Sequence, residues 1–260
     1  MNDRVTIRFE DGIADVRLNR PDKMNALDPA MIAGIEGALA ALRGMAGLRA
    51  VVLSGEGRAF CAGLDMASFA TVGEGTDLMA RSHGVANLYQ HVALGWRELP
   101  VPVVAAVHGV AFGGGFQIML GADIRITAPD TRLSIMEIRW GLVPDMSGVA
   151  LMRGLARDDV VRELTYSGRQ FDGGAALGYG FATRLSVDPH GEALALAREI
   201  ASKSPDAVRA AKRLYNGAAD LDQNAILLAE SAEQAAVLRQ PNQIEAVMAN
   251  MEKRAPSFRD

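Results

Sequence analysis

Two glycine-bearing loops, each behind a short apolar run, hold the residues best suited to chemistry. Behind Ala50–Leu53 lies Arg58-Ala59-Phe60-Cys61-Ala62-Gly63-Leu64-Asp65, and behind Val103–Val107 lies His108-Gly109-Val110-Ala111-Phe112-Gly113-Gly114-Gly115-Phe116-Gln117. Three glycines at a helix start remove Cβ atoms and expose backbone N–H groups at the positive end of a helix dipole. Such a place suits an anion or a developing oxyanion; the alternative is that the glycines allow tight packing of helix on strand.

Downstream, Glu137 sits in the apolar run Ile135-Met136-Glu137-Ile138. Burial there would raise its carboxyl pKa and make it a better base, whereas partial exposure would leave it to a salt bridge. Asp145 follows in Gly141-Leu142-Val143-Pro144-Asp145-Met146-Ser147-Gly148. It is either a second acid or the cap of a helix starting near Ser147. Gln117, on the first turn of the helix after the glycines, is either a surface polar residue or one that faces a substrate. No glycine-rich loop ends in Gly-Lys-Ser/Thr, the spacing is wrong for a dinucleotide fingerprint, and there is no Gly-x-Ser-x-Gly elbow. One cysteine and four histidines form no metal-ligand spacing, so no metal is expected. Cys61 is expected to be a small packed residue, not a nucleophile.

The elements that would position these groups alternate strand and helix over the first two-thirds of the chain, as in an α/β protein. Val5–Phe9 and Ile13–Leu18 read as a hairpin across Asp11-Gly12. Asp28 caps a helix with Pro29 at its first position, running to about Arg43. Leu78, Val85, Leu88, Val92, Trp96 and Leu99 recur at helical spacing and predict an amphipathic helix over 77–99. A helix from Gly113 reaches about Gly121, and Ile124–Ile126 and Arg132–Ser134 read as strands. Beyond Val149 the segments near 158–167, 192–203, 205–217, 221–239 and 241–252 all read as helices. The organisation expected is a core over 1–195 and a helical region over 196–260.

With 260 residues, 49% hydrophobic and 22% charged, and a net charge of −4, the chain has the balance of a soluble globular protein. That charge leaves no footprint for nucleic acid and no polybasic stretch for a membrane, and neither is expected as a partner. The start Met1-Asn2-Asp3-Arg4 lacks a signal-peptide pattern, and the single cysteine fits a reducing compartment, so a cytoplasmic location is expected.

Asn19-Arg20-Pro21-Asp22-Lys23-Met24-Asn25-Ala26-Leu27, then Phe60–Asp65, Gly113–Gly115, Glu137 and Gly141–Pro144, in this order and spacing, resemble the crotonase (enoyl-CoA hydratase/isomerase) superfamily. The resemblance covers essentially the whole chain. It implies a spiral of β-β-α turns, a C-terminal helical region that builds trimers or hexamers, an acyl-CoA substrate, and no cofactor beyond the coenzyme A moiety. Carried over by position, the two oxyanion donors are the backbone N–H groups of Leu64 and Gly114. The coenzyme-binding surface falls on Lys23, Ala26, Ala62, Asp65 and Met66. The acyl-pocket wall is expected over Met66–Tyr89, glycine-rich near Gly73 and Gly75, and on the helical tail.

One departure bears on the reaction. Hydratases of this family resemble a two-carboxylate machine, and Gln117 stands where their first glutamate would be, with Glu137 at the second. An amide can orient water but cannot exchange a proton near neutral pH. An acid at position 145 is similar to the dienoyl-CoA isomerases, which also carry an acid at the place of Gln117. The catalytic set implied is Glu137, Asp145 and Gln117, with isomerisation favoured. Hydration by Glu137 with Gln117 orienting water, and a catalytically weak acyl-CoA-binding protein, are the alternatives.

Overall fold

In the computed structural model, which describes residues 3–68 and 77–260, Asp11 and Gly12 both take positive φ (51° and 79°). That conformation joins β1 (Val5–Glu10) to β2 (Ile13–Leu18) as a two-residue antiparallel hairpin. The Asp28 side chain then accepts the Met31 N–H and starts α1 (Pro29–Arg43), which delivers the chain to β3 (Ala50–Gly55), parallel to β2.

The next turns repeat one plan. From α2 (Leu88–Glu98) the chain enters β4 (Val103–Val107), turns into the short β5 (Val110–Phe112), and continues into α3 (Gly114–Gly121). Then β6 (Ile124–Thr127) and β7 (Arg132–Ser134) follow. Parallel pairing of β2, β3, β4 and β6 builds the main sheet, closed at its far edge by β8 (Arg184–Leu185), while β5 pairs with β7 in a second, smaller sheet. Isolated parallel bridges Leu27–Leu64 and Cys61–Ala111 extend this second layer through earlier turns. This is the spiral of β-β-α turns expected from the sequence. The strands of the main sheet are apolar on both faces because helices cover both: Val51, Leu53, Val103 and Ala105 point to the core under α1, α2 and α3. Val52, Val104, Ala106 and Ile126 face Ala193 and Ala197 of α7 (Pro189–Ala201).

Between β7 and β8 lie α4 (Gly148–Met152), α5 (Asp158–Ser167) and α6 (Gly173–Tyr179); the sequence reading has α5, allows a helix starting near Ser147 and lacks α6. The tail is α8 (Pro205–Ala218), α9 (Gln223–Val237) and α10 (Pro241–Glu252). Lys212 ties α8 to the core through Asp123 at 2.8 Å and the Val101 carbonyl at 2.7 Å. Among the described residues no helix is long and apolar enough to cross a membrane.

The helix predicted over 77–99 is corrected to Leu88–Glu98. Asn87 and Gln90 form a reciprocal capping box that starts it. Before it, His83 and Ala86 bridge across Gly84 at φ 63°. Leu78 and Val85, which set the phase of the longer reading, are exposed at 46% and 82%. Gly73 and Gly75 of the expected pocket wall lie outside the described residues.

Candidate active site

Buried Asn25 organises the first loop. Held at φ 56°, it accepts the Arg20 N–H through Oδ1, and its Nδ2 lies within 3.2 Å of the Glu56, Ala59 and Phe60 carbonyls. Backbone bonds then lay 24–27 beside 62–65: Ala62 N–H to the Met24 carbonyl, Leu27 N–H to Gly63, and Asp65 N–H to Leu27. Thus Lys23, Ala26, Ala62, Asp65 and Met66, predicted from separate segments, lie along one paired stretch. Lys23 is exposed, Met66 is 56% exposed, and Ala26 is buried. The Asp65 carboxylate accepts the Ala67 N–H and pairs with Arg20 at 2.6 Å, and both hold its pKa below the usual range. Asn25→Ala strips the three loop carbonyls and the Arg20 N–H of their buried partner. It is expected to lower stability by about 1–3 kcal/mol, readable as a reduced urea midpoint.

The second loop meets the first at its glycines. Gly63 has φ 86°, and a Cβ there would stand 2.5 Å from the Phe112 carbonyl oxygen and 3.6 Å from the Gly114 nitrogen. Gly115 lies so close over the Cys61 backbone that only glycine fits. The Cys61 thiol donates to the Asn25 carbonyl at 3.1 Å, and burial pushes its pKa up to about 12, so it packs as a thiol. Gly113 takes φ 50° and ψ −118°, turning the chain so that α3 begins at Gly114. A hydrogen bond to the Leu64 or Gly114 N–H from within the chain is not formed among the described residues. Gly114 is overhung by the ends of Leu27 and Met146, each 2.8 Å from where its Cβ would be.

Beside these amides stands Glu137, buried at 9% exposure at the start of a single 3-10 turn. Its Oε1 would be 3.3 Å from a Cβ on Gly113, and it accepts from Gln117 Nε2 at 2.6 Å. Gln117 is buried too, and its Oε1 accepts two backbone N–H groups, from Met146 and Gly148, each at 2.9 Å. These two donors fix the amide orientation, so that Nε2 faces the carboxylate. The other carboxylate oxygen, Oε2, is buried without a hydrogen-bond partner among the described residues. Burial raises the Glu137 pKa, the hydrogen bond from Gln117 opposes this, and the charge of Asp145 adds to the rise.

Asp145 adjoins Met146, the residue that binds Gln117. It is not the cap of α4: the N-cap is Ser147, in the left-handed region at φ 63°, and no side chain caps that helix. Partial desolvation raises the Asp145 pKa, although the residue keeps an exposed face. Glu137 therefore stands against Gly113 and bonds Gln117, and the charge of Asp145 acts on its carboxylate. Met146 is an addition that residue type alone did not signal, because its place over Gly114 depends on the chain returning from β7.

The enoyl-CoA hydratase/isomerase family profile matches residues 8–260. The chain belongs to this family, the crotonase superfamily. Human mitochondrial Delta(3,5)-Delta(2,4)-dienoyl-CoA isomerase is 35% identical over 210 residues, which are 77% of this crotonase-family chain and 64% of that relative's length. Carnitinyl-CoA dehydratase of Proteus mirabilis is 30% identical over 266 residues, covering 100% of this chain and 99% of the relative. Among solved structures, an enoyl-CoA hydratase from Bacillus anthracis superposes with a TM-score of 0.90 at 28% identity, covering 98% of each chain. The α/β spiral with its helical C-terminal region is thus the crotonase fold.

Proposed function

We propose that this enzyme is an enoyl-CoA or dienoyl-CoA isomerase that moves a double bond by proton transfer on a thioester enolate. The Leu64 and Gly114 N–H groups receive the thioester oxygen. Glu137 Oε2 takes the activated proton, the C–H electron pair enters the enolate or dienolate, and Glu137 or Asp145 returns a proton further along the chain. The observation that carries this reading is the bonding of Gln117. Its oxygen is committed to two backbone N–H groups and one amide proton to Glu137. What remains is an N–H donor, which can hold a water but cannot accept its proton. Gln117 is thereby a positioning residue that leaves Oε2 of Glu137 free to act as the base.

The test is an unsaturated acyl-CoA panel run in heavy water and read by mass spectrometry. Deuterium entering at the α or γ carbon with a shifted double bond is expected; addition of the elements of water without such exchange would establish hydration instead. Tight binding of acyl-CoA with no turnover would establish a binding protein. The coenzyme's diphosphate and pantetheine are expected along Lys23, Ala26, Ala62, Asp65 and Met66, with no other cofactor required.

The pH dependence follows from the raised Glu137 pKa. The base works ionised, so kcat/KM falls as pH drops through an apparent pKa above the ordinary 4.5 of a glutamate. Asp145→Asn removes a negative neighbour and stabilises the Glu137 anion, moving this limb to lower pH. A pH profile whose acid limb stays in place in Asp145→Asn would disconnect the two carboxylates.

Assembly as a homotrimer or hexamer is part of the same proposal. Leu227 and Leu228 of α9, with Val247, Met248 and Met251 of α10, are exposed at 46–79%, an apolar face suited to copies of the same chain.

A further inference from the structure

A cavity of about 410 Å³ opens directly beside Leu64, the residue assigned above to the thioester oxygen. Its walls are Leu27, Pro29, Ile32 and Ala33 on the α1 side and Leu88 and Tyr89 at the start of α2, with Asp28 and Glu36 as the charged residues among the described ones. On α1, positions 29, 32, 33 and 36 share one face, so a single carboxylate ends an otherwise apolar stripe. From Pro29 to Glu36 the helix rises about 10 Å, within reach of a short acyl chain.

The two charged residues differ. Asp28 is spent, on the Met31 N–H and on Arg4 at 2.9 Å. Glu36 is built into a polar cluster: Oε1 lies 2.7 Å from His91 Nδ1 and Oε2 lies 2.9 Å from His83 Nε2, with the two rings stacked at 4.2 Å. Arg43 Nη2 is 3.0 Å from His91 Nε2. Since a guanidinium only donates, His91 Nε2 accepts, and its proton sits on Nδ1, directed at Glu36. This arrangement argues against a metal among Glu36, His83 and His91, although their ligand atoms lie within 4.8 Å of one another. A metal on His91 Nδ1 would place the ring proton on Nε2, facing the Arg43 donor.

Each Glu36 oxygen accepts one imidazole N–H and keeps a lone pair, and the side chain retains 18% exposure. Resting on the acyl-CoA reading above, we infer that this cavity holds the acyl tail and that Glu36 selects a tail whose far end carries a hydrogen-bond donor, a hydroxyl in place of a methyl. Imidazole donors fix the carboxylate, so it meets the ligand without reorganising, while the apolar walls exclude competing water.

The test measures binding, by calorimetry on the full chain, of saturated CoA esters that cannot isomerise. Pairs matched in heavy atoms, such as hexanoyl-CoA and 5-hydroxypentanoyl-CoA, are compared over several lengths. The hydroxyl member of at least one pair is expected to bind about tenfold more tightly, the scale of one hydrogen bond to a charged acceptor. In Glu36→Gln this ratio is expected to fall toward one. A wild-type preference for the methyl member at every length overturns the inference, as does a ratio undiminished in Glu36→Gln. Should that variant not fold, Ala33→Phe, which fills the cavity, must erase the ratio, and its persistence overturns the inference equally. Failure of the isomerase reading appears separately, as missing deuterium exchange.

Discussion

Glu137→Gln is expected to lower double-bond migration in unsaturated acyl-CoAs by about 100- to 10,000-fold, the range of a lost general base. The substitution is close to isosteric, and an amide oxygen turned toward Gln117 can still accept from Nε2, now 2.6 Å from the carboxylate. The loss should therefore fall on kcat, with affinity for a saturated acyl-CoA nearly retained and the far-UV circular dichroism unchanged. Steady-state kinetics beside calorimetry on the same preparation separates these quantities. Migration at the wild-type rate in this variant would remove Glu137 from the mechanism.

Gly63→Ala should be comparably damaging although it alters no functional group. At φ 86° an L-residue is strained, and the added Cβ would lie 2.5 Å from the Phe112 carbonyl, well inside contact distance. Either loop must yield, and each carries one of the two amides proposed to hold the oxyanion. Displacing one donor typically costs about 100- to 1000-fold in kcat. Gly37→Ala is the matched control: Gly37 lies within α1 and a Cβ there meets nothing within 4 Å. That change is expected to leave activity intact and to stabilise the protein by about 0.5–1 kcal/mol, seen as a raised Tm. Equal rates in both glycine variants would mean that the contact between the loops does not set the geometry of catalysis.

The sequence made the loops legible because glycine is informative where backbones must touch, and Gly63 and Gly115 each sit at such a contact. Strand and helix starts were legible where their signals are local: Asp11-Gly12, the Asp28 cap, and the apolar run Val103–Val107. The helix over 77–99 was overextended because spacing alone does not distinguish buried Val92 and Trp96 from exposed Leu78 and Val85; burial depends on what packs opposite. The short α4 and α6 carry too few residues to show a period. Within the site, residue types told which carboxylates to watch. The amide direction of Gln117 was beyond reach, since it is dictated by N–H groups 29 and 31 residues away. The Asp145 cap was a sound local reading undone by Ser147, which turns left-handed just ahead of α4.

The bridge Cys61–Ala111, with the Cys61 N–H on the Val110 carbonyl and the Phe112 N–H on the Cys61 carbonyl, puts the two glycine loops on adjacent coils of the same winding. The spacing of the two loops where they pair is therefore that of the strand-to-strand repeat, about 4.8 Å, and is set by backbone and not by any side chain. A dimension set that way survives drift in the residues around it. On the proposed mechanism, exchanging an acid for an amide at 117, or placing an acid at 145, alters where protons go while the jaw proposed to grip the carbonyl keeps its width. A scaffold of this kind separates the inheritance of a substrate from the invention of a reaction.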